Sequence, residues 1–121
     1  LKSLYLVADT VQRSVGAFAE KRVKGFAIIH QHAEARAVGS SMPPTPLIVF
    51  GNPKAGTPLM LANPEAGIDL PLKVLAWEEA GAKVWVAYKD PQYIVRRYGL
   101  EAALAANLAA VEPIIAAAAG A

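Results

Sequence analysis

The chain has 121 residues, enough for one domain, residues 1–121, that buries roughly two-thirds of its unfolded surface. Its 12 basic and 10 acidic residues leave a net charge of +2, with no basic stripe, so no nucleic-acid partner is expected. It has no cysteine, which removes disulfides, thiolate nucleophiles, iron–sulfur clusters and cysteine-ligated zinc together, and no apolar run reaches the roughly 20 residues of a membrane-spanning helix.

The chain begins at Leu1 without an initiator methionine, so loss of a leader is compatible with it, and its composition suits the periplasm and the cytoplasm alike. Leu1 to Tyr5 reads as the end of a strand. From Val7 the spacing of Val7, Val11, Val15 and Phe18 predicts a helix, with Gly25 as its stop after Lys21, Arg22 and Lys24. Phe26 to His32 alternates as a strand that would place Phe26, Ile28, His30 and His32 on one face. A turn or short helix then leads through Pro43-Pro44 to a short, continuous apolar strand, Leu47 to Phe50, expected to be buried on both faces.

Gly51 to Lys73 is the densest stretch of backbone-setting residues, with Gly51, Pro53, Gly56, Pro58, Pro64, Gly67 and Pro71. Proline fixes φ and glycine releases it, so this loop has a defined path. A short helix ending near Ala62 is expected inside it, capped by Asn52 or Thr57 and closed by Asn63-Pro64. Leu72 to Glu79 and Lys83 to Lys89 form a hairpin across Ala80-Gly81-Ala82, with Val84, Val86 and Tyr88 on one face and Trp85 and Ala87 on the other. Asp90-Pro91 opens a helical turn ending at Gly99. A last helix starts near Glu101, is kinked or restarted at Pro113, and frays over Ala116 to Ala121.

The run Gly-Asn-Pro-Lys-Ala-Gly-Thr-Pro-Leu-Met at Gly51–Met60, with Ala66–Lys73, Trp77, Trp85 and Asp90-Pro91, resembles the bacterial family catalogued as domain of unknown function 302. The likeness extends to Ala8-Asp9-Thr10-Val11 and His32-Ala33. It implies an α+β fold of the TATA-box-binding-protein-like kind: one curved antiparallel sheet backed by helices, in the order β-α-β(4)-α, with the first strand mostly missing here. Leu6 departs from the pattern, standing where relatives tend to carry a helix-capping serine. The resemblance brings no activity with it.

Gly51-x4-Gly56-Thr57 falls one residue short of a phosphate-binding loop, with Thr57 where lysine belongs and Pro53 and Pro58 removing backbone donors. Lys54 is the charge that could serve an anionic ligand there. His30 and His32 form a weak metal pair that needs a third ligand such as Asp69 or Glu34, and His32 is the best general-base candidate. Asp69 and Lys73 suit an acid and a base at the mouth of a site, against the simpler reading of a turn residue and a solvated lysine. Trp77 and Trp85 more simply pack across the hairpin than line a pocket.

Two functions of different class follow. One is a non-enzymatic interaction protein, a homodimer or a subunit of a larger assembly. The other is a domain binding a polar or anionic small molecule at the Gly51–Lys73 loop through Asn52, Lys54, Thr57, Asp69, Lys73 and His32. No catalytic residue is assigned and no cofactor is called for.

Overall fold

A computed structural model describes all residues 1–121. Five strands, β1 (Lys2–Ser3), β2 (Lys24–His30), β3 (Pro46–Gly51), β4 (Leu72–Glu79) and β5 (Lys83–Tyr88), form one antiparallel sheet in the order β1-β5-β4-β3-β2. Helices α1 (Val7–Glu20), α2 (Gln31–Ala37), α3 (Pro53–Ala62), α4 (Pro91–Arg97), α5 (Ala105–Ala109) and α6 (Val111–Ala118) complete the fold, with 3-10 turns at Pro64–Ile68 and Ala102–Leu104. The expected hairpin is β4–β5. Gly81 and Ala82 turn it with φ of 85° and 60°, and Trp77 sits opposite Trp85 on the outer sheet face.

Alternation along β3, β4 and β5 sends Ile48, Phe50, Leu72, Val74, Ala76, Val84 and Val86 inward, all buried. Leu47 and Val49 point outward and are only partly covered, so β3 is buried on one face rather than on the two expected. Phe18 of α1 stacks on Phe50 with ring centroids 4.1 Å apart, and Val11, Leu108, Val111 and Ile115 extend the same core.

The buried face of α1 is Val7, Thr10, Val11, Ser14 and Phe18; Val15 lies off it, 40% exposed. Hydrophobic periodicity missed the two polar members because their hydroxyls are satisfied internally. Thr10 pairs with Ser3 at 2.7 Å, and the Ser14 hydroxyl donates to the Thr10 carbonyl at 2.7 Å. The helix ends at Glu20 rather than at Gly25. Arg22 makes the left-handed turn with φ of 58°, and Gly25 belongs to β2.

The expected strand through His32 stops at His30, and α2 begins at Gln31. His30 and His32 therefore do not share a strand face; their rings meet edge to face at 5.5 Å. The last helix is broken into the 3-10 turn, α5 and α6, with Pro113 in the first turn of α6. Its tail is not frayed. Ala118 and Ala119 are buried, and the Ala119 carbonyl accepts the Leu4 N–H at 2.9 Å.

Candidate functional site

β3 runs out at Gly51 against Phe26 and Pro71. A Cβ on Gly51 would lie 3.4 Å from Pro71 Cβ and 3.6 Å from the Phe26 ring, ordinary van der Waals contact, so the end of β3 is closely flanked by both residues. Asn52 then caps α3, its side-chain oxygen accepting the Lys54 N–H at 3.0 Å, and Pro53 takes the first helical position, where an N–H is dispensable. Pro58 removes a donor from the interior of α3. Asn107 ties α5 to that turn by donating to the Ala55 carbonyl at 3.3 Å.

These contacts leave a cleft of about 780 Å³ between the start of α3, the end of α1 and the α5–α6 pair. Its lining is mostly apolar: Val23, Phe26, Met60, Leu70, Leu72, Leu108, Val111 and Ile114, with small residues such as Ala17, Gly56 and Ala117 opening the space. Asn52, Thr57 and Asn107 contribute amide and hydroxyl groups, and Glu20 and Lys21 add one charge of each sign. Such a surface can hold an apolar body and hydrogen-bond a small polar group.

Of the residues singled out from the sequence, Asn52 and Thr57 reach this cleft. Lys54 is exposed and is not among its lining residues. Lys73 lies on the outer sheet face, where its ammonium donates to the Pro71 carbonyl at 3.3 Å. His32 lies past the far end of β2, and its Nδ1 accepts the Thr45 N–H at 3.1 Å, which pins α2 to the segment before β3. The six candidates thus do not converge. No group of three or more metal-ligating side chains forms around the histidines.

Asp69 is buried behind the cleft, 7% exposed. Its carboxylate accepts from the Lys89 ammonium and from the Tyr98 hydroxyl, and Arg97 Nε lies 3.6 Å away. The hydrogen bond from Lys89, then that from Tyr98, hold its pKa below the usual carboxylate value against the opposing effect of burial. Accepting that bond shifts Tyr98 the other way: the Asp69 carboxylate raises the phenol. Asp69 and Lys73 are no pair. Asp69 instead anchors the loop that presents Leu70 and Pro71 to the cleft.

Sequence reasoning missed Phe26, Asn107, Leu108, Val111 and Ile114 as lining residues, and Lys89 and Tyr98 as partners of Asp69. Asn107, the one amide in an alanine-rich run, was the available signal for the first group. The second had none, because its members are brought together only by the fold.

Comparison with known proteins places this geometry in context. The family model described as "Domain of unknown function DUF302" matches residues 1–118. Two similar relatives are the fluoride-specific ion channel FluC 1 of Brucella suis and that of Brucella abortus, each 37% identical over 100 residues. The match covers 83% of this chain but only 39% and 37% of those two proteins, so the chain spans well under half of their length. A crystal structure of an uncharacterised conserved DUF302 protein from Bacillus stearothermophilus superposes with a TM-score of 0.81 at 17% identity, over 99% of this chain and 93% of that one. That likeness is one of fold.

Proposed function

We propose, given that this chain belongs to the DUF302 family, a domain of unknown function, that it is a ligand-binding domain whose ligand has an apolar body and a small polar group. The observation that carries this reading is the cleft. Its volume of about 780 Å³ falls within the roughly 300–1,000 Å³ of small-molecule sites, and a few amide and hydroxyl groups interrupt an apolar lining. This revises the ligand expected from the loop alone. Lys54, Lys73, Asp69 and His32 do not line the cleft, and the one cation that does, Lys21, is accompanied by Glu20, so the lining favours an apolar body over an anion.

Gly56→Phe tests the reading. Gly56 faces the cleft from α3, and a Cβ there meets nothing closer than Leu70 Cδ1 at 3.9 Å, so a ring can occupy the space without breaking the helix. Protein purified from its source without refolding should retain a small molecule in native mass spectrometry, and Gly56→Phe should lose it. Binding of anilinonaphthalene sulfonate should weaken about tenfold, equivalent to about 1.4 kcal/mol. No retained mass, together with undiminished dye binding in the variant, would sink the cleft as a site.

A second reading has its own support: a self-associating accessory module beside a membrane protein. The Brucella relatives are called fluoride-specific ion channels and are far longer than the matched segment, and no helix of this chain is long and apolar enough to cross a membrane. The segment like this chain would then sit beside the conducting part. Fluoride flux through the Brucella suis protein should persist when that segment is deleted. Complete loss of flux in a protein that still inserts into the membrane would make the segment part of the pore and end the accessory reading.

A further inference from the structure

The five-stranded sheet has two unequal edges. β1 is only two residues long, which leaves little to pair with, while β2 runs for seven residues and has β3 as its single neighbour. Every residue of β2 is exposed. In an edge strand backed by helices, alternate side chains are buried. Ile28 is paired with Ile48, which is 3% exposed, yet Ile28 is itself 40% exposed. The helical layer therefore covers β2 only in part, reaching it through α1 near Phe26, and leaves its free edge with no strand beside it. Phe26 and Ile29, at 44% and 43%, belong to the same surface. The exposure continues into α2, which buries no residue, and on to Val38 and Met42.

We propose that β2 is where two copies of this chain join, each strand pairing antiparallel with its equivalent across a twofold axis. The proposal rests on the self-association reading above and says which surface carries it. An antiparallel strand pair is self-complementary about a twofold axis, so one strand supplies both partners and satisfies the donors and acceptors along each free edge. Edge strands are ordinarily blunted by charge, proline or a bulge. Here Lys24 and the irregularity between Gly25 and Ala27 sit at the start of the strand, and Ala27, Ile28 and Ile29 carry no such device. A second copy would cover Ile28 and Phe26 on the inner side and Ile29 on the outer. The small net charge of +2 leaves little repulsion between copies. Phe26 also lines the cleft, so the joint abuts the proposed ligand site.

The chain has no cysteine, so one engineered cysteine can link only to another molecule. Sedimentation velocity of the wild-type chain from low to high micromolar should show a shift to twice the monomer mass. Ile28→Lys should weaken that association about tenfold or more, because it sets charge along a pairing edge. Mild oxidation should link Ile28→Cys into dimers and leave Ala87→Cys, on the exposed face of β5, unlinked. A wild-type chain that stays monomeric throughout would overturn both the proposal and the self-association reading. A dimer that survives Ile28→Lys, with no linkage through Ile28→Cys, would keep self-association and reject β2 as its surface. A monomer whose Ile28→Cys links to a different polypeptide would assign the edge to that polypeptide and reject self-pairing.

Discussion

Asp69 holds more of the site together than its place in a proline-rich loop implies. It draws Lys89, at the end of the hairpin, and Tyr98, at the end of α4, onto the segment that carries Leu70 and Pro71 into the cleft. Asn63 reinforces that junction. Its side-chain oxygen accepts the Glu65 N–H and its amide donates to the Tyr98 carbonyl, both at 3.0 Å. Replacing Asp69 by Asn should destabilise the protein at neutral pH by about 1–2 kcal/mol, since the charge-assisted bonds that half-exposed Lys89 and Tyr98 make to the buried carboxylate are each weakened or lost. The direction of the pKa shift adds a second signature. A carboxylate whose native pKa is lowered stabilises the fold above its unfolded pKa, and that contribution is lost as pH falls through the native value. Urea melts of wild type and Asp69→Asn should therefore differ at neutral pH and converge in acid. A gap that persists below the carboxylate range would mean that packing, not ionisation, is what Asp69 supplies.

At the scale of elements, α1 and α6 are the pair that closes the fold. Leu6 begins α1 in extended geometry without any side-chain cap, so the helix end relies on its packing. α6 provides that packing through its backbone. Arg13 Nε donates to the Ala118 carbonyl at 3.0 Å, and the guanidinium lies 4.0 Å from the Tyr5 ring centroid, joining the start of the chain to its end. Alanine permits this approach because nothing beyond Cβ keeps the helices apart. Removing residues 116–121 should cost about 2–4 kcal/mol, from lost hydrogen bonds and lost burial of Ala118 and Ala119 together. A lowered urea midpoint with an unchanged slope is the expected result. An unchanged midpoint would return the tail to the status of a dispensable end.

At the scale of the molecule, the helical layer covers the inner faces of β3, β4 and β5 and covers β2 only in part. The cleft lies where the ends of α1 and β3 meet the α5–α6 pair. What was legible in the sequence was local. Turn chemistry located the β4–β5 hairpin and the Asn52 and Asp90 caps, and the proline and glycine pattern located the loop from which Asn52 and Thr57 reach the cleft. These follow from φ preferences and capping donors, which act within a few residues of themselves. The fold class was legible too, through the family resemblance carried by Gly51–Met60 and its flanking residues, with which the local strand and helix spacing agreed. Only the tertiary structure separated Lys54, Lys73 and His32 from the cleft, gave Asp69 its partners Lys89 and Tyr98, and brought Leu108 and Ile114 opposite Gly56. It also showed that Ile28 lacks the cover its neighbour Ile48 has. Proximity between residues far apart in the chain depends on how whole elements pack, and no spacing within one element encodes it.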